Sequence, residues 1–167
     1  MSWLRARKEV LPLPRDVQLW KSLIARQCAA YSFDPAIAGA VIATYSWGMP
    51  DYRQYMQHEV SEVSSIFLCS QSVPIREVCS CYGLYAVNYY KLCKLNIVPD
   101  LERIYDLDYN FELFVTLFST VEESDIVYKI LQYPYIKSIH STKTSIDFKK
   151  RMGVIEENLV LTRKWFS

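Results

Sequence analysis

Residues 34–48 read DPAIAGAVIATYSWG and contain a strong signal for the start of a helix. Asp34 can accept hydrogen bonds from the first free amides of a helix, and Pro35 has a φ angle that suits the first helical position. The apolar residues that follow recur at helical spacing, and Gly48 is a natural helix end. The stretch therefore predicts a strongly apolar helix that begins at Pro35 and ends before Gly48.

Helix signals continue on both sides of this stretch. Upstream, an apolar stripe with helical spacing follows Asp16 and predicts a helix that ends before residues 31–34. Downstream, Pro50 is expected to open another helix. Residues 72–74 are expected to open the next one, which ends at residues 96–99. The three stripes are Trp20, Ile24, Cys28 and Tyr31; Tyr52, Met56, Val60, Val63 and Phe67; and Ile75, Val78, Tyr82, Tyr89 and Cys93.

The C-terminal part of the chain is less regular. Residues 111–118 form an apolar run of strand-like length, but the neighbouring segments are helical and no pairing partner is visible, so a helix is predicted. Ser124 and Asp125 are expected to cap a short helix that ends near Pro134. A final helix is predicted from Ser145 onward, weakened by Gly153.

A weak internal repeat suggests how the helices are arranged. Residues 45–56 (YSWGMPDYRQYM) and 80–91 (SCYGLYAVNYYK) align 35 residues apart, and a period of about 35 residues is typical of one helical hairpin in a solenoid. The predicted fold is all-α, with antiparallel helical hairpins stacked as a short right-handed array like those of TPR and PPR proteins. Its parts are a basic N-terminal arm (1–15), a helical-hairpin domain (16–101) and a mostly helical C-terminal extension (102–167).

Composition favours a chain that is partly covered by a partner. Hydrophobic residues make up 51% of the chain and charged residues 22%, with 13 Tyr and 4 Trp, and Tyr and Trp are enriched at protein interfaces. A net charge of +1 lacks the basic excess of nucleic-acid-binding proteins. No stretch reaches the roughly 20 consecutive apolar residues of a membrane helix. Residues 1–15 are basic but are not followed by the apolar core of a secretory signal.

Five cysteines, an odd number, argue against a secreted disulfide framework and for a reducing compartment. On a helix, positions 79 and 81 would point about 200° apart, and His58 and His140 do not complete the four-ligand set of a zinc site. The cysteines are therefore predicted to be buried structural residues. They are Cys28, Cys69, Cys79, Cys81 and Cys93.

No pattern of residues predicts catalysis. The carboxylate pairs at residues 122–123 and 156–157 lie in polar, surface-like stretches, and four scattered glycines provide no phosphate-binding loop. No cysteine stands in a helix-start context that would favour a reactive thiolate. We therefore expect that the chain is not an enzyme and that it has no catalytic, cofactor-binding or metal-binding residues of its own.

The candidate functional residues are therefore interface residues. Trp47 stands at a predicted helix end, and Arg163, Lys164, Trp165 and Phe166 combine basic and aromatic side chains, which are common interface hot spots. The extension is rich in aromatic residues, which disordered tails lack. It is expected to pack partly on the helical array and partly on partner subunits.

The motifs of the first hundred residues occur in the order Asp16-Val17-x-x-Trp20, Tyr31, Pro35-x-Ile37-x-x-Ala40 and LNIVPDL at residues 95–101. In this order and spacing, residues 16–101 resemble the family of cytochrome c oxidase subunit Va, called subunit VI in yeast. The basic start of this chain, the helix expected at Pro50 and the extension 102–167 depart from the family pattern.

The resemblance implies a non-catalytic accessory subunit of mitochondrial cytochrome c oxidase that supports its assembly and stability. Such a subunit lies peripherally on the matrix side of the inner membrane, has no membrane span or cofactor, and contacts other subunits of the complex rather than a nucleic acid or a small-molecule substrate. The alternative is a PPR- or TPR-like repeat protein of the mitochondrial ribosome or of organellar RNA metabolism, because LNIVPD also resembles the closing turn of a pentatricopeptide hairpin.

Overall fold

The computed structural model describes residues 14–63, 73–137 and 146–167, with side chains from residues 20, 73 and 147 onward in these three segments. Eight of the elements are α-helices or short helical turns, and three are strands. They are α1 (Pro14–Tyr31), α2 (Pro35–Thr44), β1 (Arg53–Tyr55), a 3-10 helix (Gln57–Glu62), α3 (Ile75–Val78), β2 (Ser80–Tyr82), β3 (Val87–Asn88), α4 (Tyr89–Lys94), α5 (Leu107–Thr120), α6 (Ile126–Gln132) and α7 (Ile146–Trp165).

Helix α2 lies at the centre of the helical layer. The Asp34 carboxylate accepts a 2.9 Å hydrogen bond from the Ala36 amide, so the predicted cap is confirmed. Apart from the half-buried Pro35 and Ile37, every residue of α2 is buried. A helix that is apolar on all sides must be covered on all sides, and α2 packs mainly on α7 and also on α1 and α6.

A three-stranded antiparallel sheet lies beside the helices, with strand order β1-β2-β3. Arg53 pairs with Tyr82, Gln54 with Cys81, and Cys81 in turn with Asn88. The helix predicted from Pro50 is wrong, because β1 and a 3-10 helix occupy this region. The continuous helix predicted from residues 72–74 is also wrong, since α3 has only four residues before the chain turns into β2.

The aromatic core joins the N-terminal and C-terminal parts of the chain. The rings of Tyr85 and Phe114 are stacked with centroids 4.8 Å apart, and Phe33 meets Phe114 edge to face at 5.2 Å. The buried hydroxyls are bonded as well, because Tyr85 donates to Gln27 Oε1 at 2.6 Å and Tyr133 donates to the Tyr85 carbonyl at 2.8 Å. Residues on both sides of position 101 therefore belong to one hydrophobic cluster.

Several sequence predictions of local structure are confirmed. The chain leaves a helical conformation near residues 31–34, 48 and 96–99, the apolar run 111–118 lies in α5, and Asp125 caps α6 with bonds from two amides at 3.0 and 3.1 Å. The last helix, α7, is present and contains Gly153. The break predicted at residues 69–73 and the start predicted at Ser145 lie mostly outside the described residues.

The fold is mostly helical, as predicted, but the arrangement of stacked hairpins is not shown. The main helix pair joins α2 to α7, which is the last helix rather than a neighbour along the chain. The repeated segments 45–56 and 80–91 contain turns and strands, and their aligned residues Gly48 and Gly83 share a φ of 78°. Over residues 14–63, 73–137 and 146–167, no helix combines the length and the apolar character that a membrane span requires.

Candidate binding cleft and helix-end patch

A cleft of about 220 Å³ opens where the C-terminal end of α2, the sheet and the first turns of α7 meet. Its lining comes from five separate segments of the chain. The lining residues are Thr44, Tyr45 and Trp47 at the C-terminal end of α2; Tyr52, Gln54, Met56 and His58 in and around β1; Cys81 and Ala86 in the β2–β3 hairpin; Pro134 and Tyr135 after α6; and Arg151 in α7.

Strand alternation decides which side chains face the cleft. Gln54 pairs directly with Cys81, and residues that are opposite each other in an antiparallel pair point to the same face. Tyr52 and Met56 share that face because they lie two residues from Gln54. Arg53 points to the other face, where its guanidinium lies 5.5 Å from the centre of the Tyr82 ring.

Trp47 is held at the edge of the cleft by a strained turn. It adopts a left-handed conformation with φ of 58°, and Ala86, across the cleft, has φ of 50°. Such conformations cost non-glycine residues of the order of 1–3 kcal/mol and concentrate at functional sites. The buried Ser46 hydroxyl donates a 2.6 Å bond to the Leu84 carbonyl, which ties this turn to the β2–β3 hairpin.

Tyr45 forms the back of the cleft. Its ring is buried, and its hydroxyl donates to the carbonyls of Ile130 and Leu131 at the end of α6. Because the hydroxyl is bonded on the far side, Tyr45 presents the ring to the cleft. The wall is therefore aromatic at this position.

Tyr135 and Arg151 form the opposite side of the cleft. Arg151 Nη1 donates a 3.0 Å hydrogen bond to the Tyr135 hydroxyl, and Arg151 Nε lies 3.0 Å from the exposed carboxylate of Asp147. Because the Tyr135 oxygen accepts from the guanidinium, its own hydrogen is directed elsewhere. His58 lies beside this pair, with its ring centroid 5.9 Å from that of Tyr135.

The loop that carries Tyr135 is fixed from behind by Glu59. This carboxylate is 1% exposed, and its Oε2 accepts bonds from the amides of Ile136 and Lys137 at 2.8 and 2.7 Å. Its Oε1 makes no hydrogen bond with the described residues. Glu59 therefore positions one wall of the cleft and does not itself line it.

Four of the five cysteines are buried, free thiols, so their predicted burial is confirmed; Cys69 lies outside the described residues, as does His140. Burial raises the pKa of Cys28 to about 12 and that of Cys79 to about 11. The helical spacing argued for Cys79 and Cys81 is wrong, since Cys79 is the C-terminal cap that follows α3 and Cys81 lies in β2. In the described part of the chain, no group of three metal-binding side chains is arranged around an ion site.

The structure separates Trp47 from the other four candidate interface residues. Those four lie at the C-terminal end of α7, where Arg163 and Lys164 are exposed and Trp165 and Phe166 are half-buried. The rings of Trp165 and Phe166 meet edge to face at 6.4 Å. Phe166 also packs against the core beside Gly39, so it contributes to the fold as well as to the surface.

Comparison of the chain with family models, with curated proteins and with solved structures finds no match. The candidate sites therefore rest on the geometry of this chain.

Sequence reasoning missed most of the cleft. The sequence pattern predicts Tyr52 and Met56 on the apolar stripe of a helix, and it does not single out Thr44, Tyr135 or Arg151 as site residues. The one usable signal is Trp47 directly before Gly48, a large aromatic residue at a predicted helix end.

Proposed function

We propose that this chain is a non-catalytic accessory subunit that docks onto a larger assembly through the end of α7. The docking surface, called the helix-end patch, consists of Val160, Arg163, Lys164 and Trp165. Val160 is 53% exposed, Arg163 and Lys164 are exposed, and Trp165 is half-buried. Arg and Trp are enriched among the residues that dominate binding energy at protein interfaces.

The observation that carries this proposal is the rigid support beneath the patch. Thr162, on the inner side of the same turn, is fully buried and donates a 2.7 Å bond to the Ala36 carbonyl. Arg163 Nη1 lies 3.7 Å from the Asp34 carboxylate. A terminal turn that is already ordered loses little conformational entropy on binding, so its contacts contribute more to affinity.

The chemistry of the patch indicates the kind of partner surface that it fits. An exposed Val and a Trp provide apolar contact, and Lys164 and Arg163 add positive charge, part of which Asp34 offsets. A complementary surface would combine an apolar centre with acidic residues at its edge.

The motif order of residues 16–101 supports mitochondrial cytochrome c oxidase as the assembly, with the chain peripheral on the matrix side of the inner membrane. The stacked-hairpin array and a role on the mitochondrial ribosome stay predictions beside this proposal. The net charge of +1 favours a protein partner over RNA, because phosphate binding draws on a basic excess.

The test is co-purification of the full, tagged chain from its own cells. We expect it to travel with a membrane complex that contains haem and copper; co-purification with ribosomal RNA instead would replace this assignment with the ribosomal one. The double substitution Val160→Glu and Lys164→Glu should reduce recovery of the complex without changing the circular dichroism spectrum.

Lys149→Glu is the matched control, because Lys149 is an exposed lysine at the opposite end of the same helix. Point substitutions are preferable to truncation, since removing residues 160–167 would also remove the buried Thr162. If the double variant recovers the complex as well as the Lys149 variant does, the helix-end patch is not the docking surface.

A further inference from the structure

We propose that the cleft between α2, β1 and α7 binds a small aromatic carboxylate, with hydroxyl donors and Arg151 on the carboxylate and aromatic rings on the body of the ligand. This site is independent of the helix-end patch, because Arg151 lies 12 residues before Arg163, or about 18 Å along the helix axis at ~1.5 Å per residue.

The polar lining of the cleft combines hydroxyl groups and a guanidinium with the amide of Gln54 and the imidazole of His58. None of the described residues that line it is Asp or Glu, and one of them, Arg151, carries a guanidinium. Three hydroxyl groups, those of Thr44, Tyr52 and Tyr135, lie in this lining. A carboxylate accepts up to about four hydrogen bonds and donates none, so it is the ligand group that such a lining suits best.

Thr44 is the most buried of these three residues. Thr44 lines the cleft although the residue is only 3% exposed. Its hydroxyl oxygen accepts a 3.1 Å bond from Asn158 Nδ2, and its hydrogen has no acceptor among the described residues. Because buried polar groups are normally hydrogen-bonded, this donor is available to a molecule in the cleft.

Tyr52 and Tyr135 provide two further donors. The Tyr52 hydroxyl makes no hydrogen bond with the described residues, and Tyr135 accepts from Arg151 and so retains its own hydrogen for donation. Burial raises the pKa of both phenols. Both hydroxyls are therefore protonated at neutral pH and act as donors there.

The charges around the cleft are mixed, so hydrogen bonding rather than net charge carries the specificity. The positive charge of Arg151 is partly neutralised by Asp147 on its outer side. The carboxylate of Glu59 lies behind Tyr135, and its negative charge repels a bound anion. The two Glu59 bonds to backbone amides and the nearby ammonium of Lys91, which bonds the Tyr133 carbonyl, offset that effect.

Size and shape restrict the body of the ligand. The cleft volume of about 220 Å³ is below the roughly 300–1,000 Å³ of sites for drug-sized molecules. The walls are the rings of Tyr45, Trp47, Tyr52 and Tyr135 together with Met56. Aromatic pairs prefer offset or edge-to-face contacts, so a single flat ring beside a carboxylate fits the space.

The test is a titration of the full chain with phenylacetate and with its neutral analogue phenylacetamide. Binding is measured by calorimetry and by the indole signal of Trp47 in NMR spectra. The Trp47 signal is identified by its loss in Trp47→Phe. We expect phenylacetate to shift that signal and to bind at least ~10-fold more tightly than the amide, because a charged acceptor makes stronger hydrogen bonds.

Tyr52→Phe and Thr44→Val each remove one donor and should weaken phenylacetate binding by about tenfold or more. Tyr55→Phe is the matched control, since Tyr55 lies three residues away on the opposite face of β1, and should leave binding unchanged. Circular dichroism confirms folding, and Thr44→Val serves if Tyr52→Phe is unstable. Equal binding of acid and amide, no binding at millimolar phenylacetate, or an equal loss in Tyr55→Phe would overturn the proposal.

Discussion

The Thr162 hydroxyl donates a 2.7 Å hydrogen bond to the Ala36 carbonyl and so joins the last helix to the first turn of α2. The two helices can approach this closely because α2 has no side chain at Gly39. A methyl group placed there would lie 2.9 Å from Cγ2 of Thr162, which is shorter than a normal carbon–carbon contact. Gly39 therefore permits the packing that supports both candidate sites.

Gly39→Ala should destabilise the protein by roughly 1–3 kcal/mol, because the added methyl group overfills a packed interface. Urea unfolding followed by circular dichroism measures this change. Combining it with Thr162→Ser, which removes the opposing methyl group and keeps the hydroxyl, should recover part of the loss. Strictly additive effects of the two substitutions would contradict a direct clash between these residues.

Gly153→Ala should have the opposite effect. Gly153 lies inside α7. Apart from its two chain neighbours and the backbone of the adjoining helical turns, no atom of the described residues lies within 4 Å of the position that its Cβ would take. Alanine is favoured over glycine in a helix by about 0.5–1 kcal/mol, so the midpoint of urea unfolding should rise. Gly39→Ala and Gly153→Ala make the same chemical change, so stability changes of opposite sign would separate the effect of packing from that of helix propensity. A loss of stability in Gly153→Ala would instead show that its methyl group meets a contact.

Asn110 fixes the turn between β2 and β3 from inside the core. Its amide nitrogen donates to the carbonyls of Tyr82 and Ile104 at 3.0 and 2.9 Å, and its oxygen accepts from the Tyr85 amide at 2.8 Å. The side chain is completely buried. It also lies directly against Gly83, whose φ of 78° requires a residue without a side chain.

Asn110→Asp should therefore lower the free energy of unfolding by roughly 2–5 kcal/mol. The carboxylate has the shape of the amide, but it presents an oxygen to two buried carbonyls that need a hydrogen-bond donor. Asn96→Asp is the matched control. Asn96 is exposed and has φ of 63°, a conformation that Asp tolerates, so a change below about 0.5 kcal/mol is expected there. Equal stability of the two variants in urea unfolding would refute the role of Asn110.

The helices that could be predicted are those whose signals are local. Asp34 and Asp125 each bond amides two or three residues ahead, so a few consecutive residues are enough to predict a helix start. The run at residues 111–118 lies in a helix, as the helical signals of its neighbours predict. These predictions required no knowledge of the tertiary structure.

The sheet and the cleft could not be predicted in this way. Gln54 pairs with Cys81 across 27 positions of sequence, and neither three-residue strand has a strong alternating pattern of its own. Tyr52 and Met56 are spaced for a helical stripe as well as for one strand face, so their spacing alone does not separate the two structures. Arg151 reaches the cleft only through the packing of α7 on α2, which no local pattern encodes.

Lys91 is a half-buried lysine whose pKa differs between the folded and the unfolded chain. Its Nζ donates a 2.7 Å hydrogen bond to the Tyr133 carbonyl. Burial lowers the pKa of Lys91 from 10.5 to about 8, although the charges of Cys81 and Glu59 act in the opposite direction. In the unfolded chain the ammonium is surrounded by water and keeps its ordinary pKa.

Between about pH 8 and pH 10.5, the unfolded chain holds the Lys91 proton and the folded chain has released it. Unfolding then takes up a proton, so the contribution of Lys91 to stability rises with pH across this window. Buried thiols and phenols have raised pKa values and lower the total stability over the same range. Their effect cancels when the wild-type protein is compared with Lys91→Met at each pH.

We therefore expect the free energy of unfolding of the wild-type protein, measured in urea from pH 7.5 to pH 10, to increase relative to that of Lys91→Met as the pH rises. Lys94→Met is the control, because Lys94 lies on the exposed side of the same short helix, and its difference from wild type should stay nearly constant. A Lys91 difference that is flat, or that falls with pH, would show that the ammonium is as well solvated in the folded chain as in the unfolded one.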